Sequence, residues 1–212
     1  MIKKILILTV LIFLPQKVFA LIEVDITRGN LDPLPLAVSP LSIDDLSKNN
    51  FEKILNIENI GTEISIIVEN NLRTSGLFNP LNKDAFLQEP DIANLKPRFE
   101  DWSLIKAQAL ITGKVSYIED KLRVEFRLWD VLAAKEMMAL AFTTVPSNWR
   151  RVGHIISDKI YERLTGEEGY FDTRIIYVAE NGPKNQRVKK LAIMDQDGAN
   201  TKYLTLGNEL VL

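Results

Sequence analysis

The sequence predicts an α/β domain, with helices packed on a mixed sheet, followed by the opening strands of an all-β propeller. Two observations favour the α/β part. Three consecutive segments alternate apolar and polar residues with a period of two, and two long segments repeat apolar residues at helical spacing. Short strands separated by turn-rich loops replace this pattern after Gly169, which favours the propeller part. We therefore divide the chain into residues 1–20, 21–169 and 170–212.

Residues 1–20 have the three parts of an export signal. Lys3 and Lys4 are followed by an apolar stretch at 5–14 and by Val18-Phe19-Ala20, a small-residue cleavage motif. The apolar stretch is about ten residues long, whereas a helix that spans a bilayer needs about twenty. This length favours a cleaved signal peptide over the alternative, a signal anchor. We therefore expect an exported, soluble mature chain in the periplasm.

Two short strands are predicted near the start of the mature chain. Residues 22–27 alternate apolar and polar side chains, which is typical of a half-buried strand. Residues 36–38 form a second apolar stretch that lies among Pro33, Pro35 and Pro40. Because proline cannot donate a backbone hydrogen bond, we expect an edge or strand-end position here.

Two helices are predicted next. Residues 62–76 carry apolar side chains at helical spacing, with Thr62 as the N-cap and Gly76 at the C-terminal end. Residues 99–108 are predicted to form a second helix, whose amphipathic pattern comes from Trp102, Ile105 and Ala109.

A three-stranded meander and a long helix complete the α/β domain. The strands are predicted at 109–118, 121–131 and 136–145, with a tight turn at Glu119-Asp120. The middle strand places apolar residues on one face and charged residues on the other, so we expect one packed face and one solvated face. The helix extends from 149 to Gly166.

The composition excludes several function classes. The chain has no cysteine, which rules out disulfides, thiolate zinc sites, a cysteine nucleophile and a lipidated cysteine. Its net charge of −2 is unfavourable for nucleic-acid binding. The glycines are scattered singly, so the sequence contains no phosphate-binding loop. We find no catalytic constellation and predict no cofactor.

His154 is the only histidine in the chain. Asp158 follows four residues later on the same predicted helix face, so the two side chains could form a hydrogen bond. A catalytic pair would also need a nucleophile, and a metal site would need at least one more ligand. We therefore interpret His154 as a surface or structural histidine and predict no metal site.

Asp195, Asp197 and Gly198 resemble the start of a calcium-binding loop. The later ligands of such a loop, including the terminal glutamate, are not in register. An Asp-Gly pair between two apolar segments is by itself a strong hairpin signal. We therefore interpret this stretch as a hairpin turn.

Several long stretches resemble the TolB family, whose members are periplasmic components of the bacterial Tol–Pal system. The resemblance extends over essentially all of residues 21–212, and its segments are EVDITRGNLDPLPLAV, LRTSGLFNPL, LRVEFRLWDV, NWRRVGHIISDKIYERLTGEEGYFDTRIIYV and LAIMDQDGAN. It implies an α/β domain followed by a six-bladed propeller, of which residues 173–212 would be the opening. It also implies a non-enzymatic adaptor that links TolA to Pal, maintains the outer membrane and supports constriction at cell division.

In this family the N-terminal segment of the mature chain engages TolA, and the Pal-binding surface lies on the propeller. The resemblance therefore implies a TolA-binding segment formed by Ile22, Glu23, Val24, Asp25, Ile26, Thr27 and Arg28. An alternating strand at a free terminus can add to an exposed sheet edge of a partner, or it can pair within its own sheet. We expect this chain to bind Pal weakly, since it contains little of the propeller.

Two other functions remain open from the sequence. The first is an exported hydrolase in which these parts precede a catalytic domain, which a downstream Gly-x-Ser-x-Gly motif would favour. The second is a propeller that binds a small ligand or a metal in its central channel.

Overall fold

The computed structural model describes residues 32–184 and 186–207. The strands are β1 (Leu34–Val38), β2 (Ser42–Ile43), β3 (Phe78–Pro80), β4 (Ala109–Ile118), β5 (Lys121–Asp130), β6 (Lys135–Thr144), β7 (Arg174–Asn181), β8 (Val188–Asp195) and β9 (Lys202–Tyr203). The helices are α1 (Asp45–Leu55), α2 (Ile60–Thr74), α3 (Pro90–Leu95), α4 (Phe99–Leu104) and α5 (Trp149–Thr165), with short 3-10 turns at Lys83–Ala85 and Pro146–Asn148. The predicted signal peptide and the predicted strand at 22–27 lie outside the described residues. Within the described ranges, no helix combines the length and hydropathy needed to cross a membrane.

Six strands form one mixed sheet in the order β3-β1-β4-β5-β6, and β2 pairs with β4 beyond the end of β1. β1 runs parallel to both β3 and β4, whereas β4, β5 and β6 form an antiparallel meander. Helices α2 and α5 pack on one face of the sheet, and α3 and α4 cover part of the other. This arrangement confirms the predicted mixed sheet with packed helices.

β1 is an internal strand, so the edge position, one of the two that the sequence allowed for its prolines, does not apply. Pro35 is its second residue, and the Pro35 carbonyl accepts the N–H of Gln108 at 2.9 Å just before β4 begins. Pro40 follows the end of the strand. Both prolines therefore lie at strand ends, where a missing N–H does not interrupt the ladder. This is the other position that the sequence allowed.

The main core lies between the sheet and helices α2 and α5. Every second side chain of β5 is at most 1% exposed and faces this core: Leu122, Val124, Phe126 and Leu128. Helix α5 approaches α2 closely because residue 153 is a glycine, where a Cβ atom would lie 2.9 Å from Ile67 Cγ2. Burying a large apolar side chain contributes about 1.5–3 kcal/mol, so this layer is the main source of the domain's stability.

A smaller core covers the start of β4 on the opposite face. Trp102 is 1% exposed there, and its indole N–H donates to Gln88 Oε1 at 2.8 Å. The polar side chains of β5, such as Arg123 and Glu125, are only partly buried on this face. The predicted packed and solvated faces of β5 are confirmed.

Helix α2 begins two residues earlier than its predicted N-cap. The side chain of Asn59 accepts the N–H of Thr62 at 3.1 Å, so Asn59 is the N-cap. Gly61 lies inside the first turn, although glycine disfavours helix interiors. The reason is close packing, because a Cβ atom at Gly61 would lie 2.2 Å from the carbonyl oxygen of Leu41.

The predicted helix at 99–108 is shorter in the structure. Helix α4 ends at Leu104, and Lys106 adopts a left-handed conformation with φ of 64°. This residue turns the chain into β4, which begins at Ala109. Ala109 therefore belongs to the sheet and not to an amphipathic helix.

The last described strands form a separate antiparallel sheet in the order β7-β8-β9. The turn after β8 has Gly198 with φ of 85°, and the N–H of Gly198 donates to the carbonyl of Asp195 at 2.9 Å. This geometry confirms a hairpin turn at Asp197-Gly198. Whether this sheet opens a propeller stays a prediction.

Candidate functional site

The predicted TolA-binding segment lies outside the described residues, so its placement stays a prediction. Its members are Ile22, Glu23, Val24, Asp25, Ile26, Thr27 and Arg28. The described chain starts at Asp32, two residues before β1.

The described residues contain a polar site where helices α2 and α5 meet the turn after β8. We call this contact the junction and define it by Asn71, Arg150, His154, Asp195 and Asp197. Helix α5 supplies Arg150 and His154 on one side because residues four apart lie on the same helix face. The hairpin turn after β8 supplies Asp195 and Asp197.

His154 is buried at the junction and is 2% exposed. Its Nδ1 accepts a hydrogen bond from Asn71 Nδ2 at 2.9 Å, and the same amide donates to Ser157 Oγ at 3.0 Å. Asn71 Oδ1 in turn accepts from Gln196 Nε2 at 2.9 Å. One buried amide therefore links helix α2, helix α5 and the turn after β8.

The hydrogen bond that His154 and Asp158 could form by their spacing is not among those of the described residues. Asp158 instead accepts the backbone N–H of Phe171 at 2.6 Å and that of Asp172 at 3.0 Å. It fixes the loop that leads from α5 to β7. His154 is buried, so the interpretation as a surface histidine was wrong.

The other ring nitrogen of His154 faces Asp197. The distance from Nε2 to Asp197 Oδ2 is 3.7 Å, which is too long for a hydrogen bond. Arg150 binds the same Asp197 oxygen through Nη2. Burial lowers the pKa of His154, and the charge of Arg150 lowers it further, although Asp197 and Asp195 oppose this shift. The net shift of the pKa favours the neutral imidazole.

Arg150 and Arg151 are each paired with a carboxylate, that of Asp197 and that of Asp172. Arg151 binds the carboxylate of Asp172 at 3.0 Å, and this partner raises the pKa of the guanidinium. Both arginines line a cavity of about 270 Å³ that also borders His154 and Asp195. The cavity is thus surrounded by charged groups of both signs.

The junction lacks the partners that hydrolytic chemistry requires. Among the described hydrogen bonds, His154 contacts no hydroxyl group, and the hydroxyl of Ser157 donates to the Gly153 carbonyl at 2.9 Å. A histidine-activated nucleophile needs a direct hydrogen bond between the two side chains. The junction places one imidazole nitrogen near two carboxylates. The ligand atoms of His154, Asp195 and Asp197 lie within 4.8 Å of one another.

The sequence could not have indicated this grouping. Asn71 and Asp197 lie far from His154 along the chain and reach it only through the packing of α2 and the hairpin after β8. The one available signal was the Asp195-x-Asp197 spacing, which places two carboxylates at one turn.

Comparison with known proteins identifies the chain's relatives. Residues 22–137 match the family model described as the TolB amino-terminal domain. The chain is 81% identical over 201 residues to the Tol-Pal system protein TolB of Pelagibacter ubique, covering 95% of this chain and 45% of that protein. The chain thus spans less than half the length of this relative.

A solved structure supports the fold. TolB from Acinetobacter baumannii superposes with a TM-score of 0.67 at 24% sequence identity, covering 87% of this chain and 41% of that one. The family match includes more than half of the residues of the chain, and it includes the stretch predicted to bind a partner. The chain therefore belongs to the TolB family.

Proposed function

We propose that this chain is the N-terminal part of a periplasmic, non-enzymatic adaptor of the Tol–Pal system. The observation that carries the proposal is the 81% identity with a Tol-Pal system protein over 95% of the chain. The adaptor would link TolA at the inner membrane to Pal at the outer membrane. In this role it would maintain the outer membrane and support envelope constriction during cell division.

The TolA contact is assigned in this proposal to residues 22–28. Ile22, Val24 and Ile26 share one face of an extended strand, while Glu23 and Asp25 share the other. A strand of this kind adds to an exposed sheet edge through main-chain hydrogen bonds, and its apolar face then fills pockets on the partner. The acidic face would set the charge preference and the association rate.

The structure is compatible with a free N-terminal strand. β1 is paired on both sides, with β3 and with β4, so its own ladder is complete without residues 22–27. Residues 28–33, which include Gly29, connect the strand at 22–27 to β1. Glycine permits conformations that would direct the segment away from the sheet.

Pal would bind to the propeller, of which residues 173–212 are the proposed opening. The short sheet β7-β8-β9 would be the beginning of the first blade. This assignment rests on the family membership, because three short strands do not define a propeller.

The test is calorimetric titration of residues 21–212 with the C-terminal domain of the cognate TolA. A version that starts at Gly29 serves as the deletion control. We expect binding by the longer chain and at least a tenfold loss, about 1.4 kcal/mol, on deletion. Undiminished binding would move the TolA contact elsewhere, and no binding by either folded chain would contradict the adaptor proposal.

A pair of matched variants locates the contact more precisely. In the first variant Ile22, Val24 and Ile26 are replaced by serine, and in the second Glu23 and Asp25 become glutamine and asparagine. If the apolar face fills pockets, the first variant should lose most of the affinity, and the second should mainly change the salt dependence. Equal losses in both variants would contradict strand addition with one face buried.

A further inference from the structure

We propose that His154, Asp195 and Asp197 form a binding site for a divalent transition-metal ion, with zinc as the best fit, between helix α5 and the hairpin after β8. The proposal does not depend on the Tol–Pal role. It concerns the residues of the junction and can be tested on this chain alone.

The three ligand atoms already converge. Their mutual distances are within 4.8 Å, and His154 Nε2 lies 3.7 Å from Asp197 Oδ2. In a tetrahedral site with metal–ligand distances of about 2.0–2.2 Å, neighbouring ligand atoms are about 3.3–3.5 Å apart. Closing the site therefore requires the hairpin to move by about 1 Å, and a water molecule would complete the coordination.

A second observation that points to a ligand is the state of His154 Nε2. The side chain is 3% exposed, and Nε2 has no hydrogen-bond partner among the described residues although it faces the two carboxylates. Buried polar atoms are almost always paired, so an unpaired nitrogen beside carboxylates indicates that something else binds there. Because burial lowers the pKa of this histidine, the neutral form that coordinates metals predominates at neutral pH.

The surrounding amides can support the metal-bound state. With Asn71 Nδ2 donating to His154 Nδ1, the proton of the neutral ring is on Nε2, where a metal would have to bind. Turning the amides of Asn71 and Gln196 by 180° reverses the direction of the contacts that Asn71 makes with His154 and with Gln196. The Ser157 hydroxyl must then donate to Asn71 Oδ1 and give up its hydrogen bond to the Gly153 carbonyl. Asn71 Oδ1 then accepts a hydrogen bond from the Nδ1–H of His154, and the Nε2 lone pair is free. A ligating histidine usually donates its other N–H to an oxygen in this way.

Arg150 is the internal competitor of the metal. Its guanidinium binds the same Asp197 oxygen that would coordinate the ion, and its Nε is itself buried without a partner among the described residues. The ion would displace this contact and direct Arg150 into the adjoining cavity, which it already lines. Removing the positive charge of Arg150 should therefore strengthen metal binding.

The donor set defines the class of ion. One imidazole nitrogen and two carboxylates suit zinc and its first-row neighbours, whereas calcium requires six to eight oxygen ligands. Bound zinc would connect α5 to the hairpin after β8 through coordinate bonds. It would thus fix the second sheet against the α/β domain.

The experiment uses the fact that His154 is the only histidine. Nitrogen-15 NMR of the imidazole, in a chain without an affinity tag, needs no assignment and reports each ring nitrogen separately. On addition of one equivalent of zinc, we expect the Nε2 signal to shift to the metal-bound position and Nδ1 to become protonated. Zinc that leaves both ring signals unchanged, whether or not it binds to surface carboxylates, would overturn the proposal.

Three variants make the test specific, with affinities measured by competition against a chromophoric chelator. We expect Asp197→Asn to weaken zinc binding at least about tenfold, as the loss of a ligand should cost no less than the loss of a supporting contact. Arg150→Gln should strengthen it several-fold. Asp172→Asn, which removes a carboxylate at the same cavity but outside the three ligands, should leave it unchanged. Equal affinities in the Asp197 and Asp172 variants would contradict the assignment.

Discussion

The sheet of the α/β domain and the sheet β7-β8-β9 are both built from strands that carry several apolar residues, but they differ sharply in burial. In β5 every second residue is almost fully buried under helices α2 and α5. In β7 no residue is buried, and Ile176 is 62% exposed; in β8 only Ala192 is buried. The apolar content of a segment therefore helps to predict a strand, but it does not tell whether a second layer covers that strand.

This difference in burial explains why the sheet β7-β8-β9 depends on the α/β domain. The α/β domain has its own core, whereas the described part of the second sheet leaves Ile175, Ile176 and Val178 at least 39% exposed. A sheet of this size buries too little apolar surface to be stable alone. It is held to the α/β domain by the polar contacts of the junction and by the loop that Asp158 fixes.

The largest effect is expected from Phe126→Ala. Phe126 is 1% exposed, and its ring stacks on Phe142 with a centroid distance of 6.1 Å. Removing the ring should lower the free energy of unfolding by about 3–5 kcal/mol, because burial is lost and a cavity remains. Urea unfolding followed by tryptophan fluorescence measures this. A loss below about 1 kcal/mol would show that the core of the α/β domain contributes less to stability than the burial of Phe126 indicates.

A smaller effect is expected from Gly169→Ala, which tests the connection between the regions. A Cβ atom at position 169 would lie 2.4 Å from Asp158 Cα, so the loop must move away from α5. The two backbone N–H groups that Asp158 binds would then lose their acceptor. We expect a loss of about 1–3 kcal/mol and faster hydrogen exchange at Phe171 and Asp172. Unchanged exchange at these two amides would contradict the role assigned to Asp158.

The third prediction concerns pH and the junction. Burial, followed by Arg150, lowers the pKa of His154 in the folded state, with Asp197, Asp195 and Asp172 opposing. The unfolded chain therefore binds a proton at about pH 6.5, where the folded chain does not. The free energy of unfolding should fall as the pH decreases from about 6.5 to the folded-state pKa of His154. The total loss should be about 1.4 kcal/mol for each unit by which folding lowers that pKa.

The measurement is the free energy of unfolding at about pH 7.5 and pH 5 for the natural chain and for His154→Gln. The glutamine cannot titrate, so the variant should lose less stability between the two pH values. The carboxylates titrate in both chains and cancel in the comparison. If both chains lost the same free energy of unfolding between the two pH values, His154 would not be the cause of the pH dependence.

The smallest effect on unfolding is expected from Ile176→Thr in β7. Because the side chain is 62% exposed and threonine keeps the β-branched shape, the free energy of unfolding should change by no more than about 0.5 kcal/mol. The variant should nevertheless be more soluble, since it removes an exposed apolar group from a short sheet. Light scattering of concentrated samples measures this. A large loss of stability would show that another surface covers β7.

The sequence predicted the elements whose signal is local. The turn at Glu119-Asp120 and the helix end at Gly166 are both present, with φ values of 51°, 59° and 77°. The errors come from tertiary packing. Residue 61 of α2 is a glycine because a Cβ atom there would clash with the carbonyl of Leu41, and β1 takes an internal place with its prolines at the strand ends, one of the two positions that the sequence allowed. Nothing local to these residues indicates either neighbour.

The candidate site was less predictable than the fold. His154 was identified from the sequence, but the expected partner was Asp158, at the favourable spacing on the same helix. The actual neighbours, Asn71 and Asp197, come from another helix and from the second sheet. Helical spacing tells which side chains can meet on one helix, whereas a site built from three elements depends on how those elements pack.

The internal position of β1 has a mechanical consequence for an adaptor held at its N-terminus. A pull on residues 22–28 that runs along β1 would load its hydrogen bonds to β3 and β4 at the same time. A strand at the edge of a hairpin would instead open one bond after another. We expect the α/β domain to resist such a pull until all the hydrogen bonds of β1 break together. Single-molecule pulling from residue 22 would then show one high rupture force. A series of small steps would show that the attachment point is not reinforced in this way.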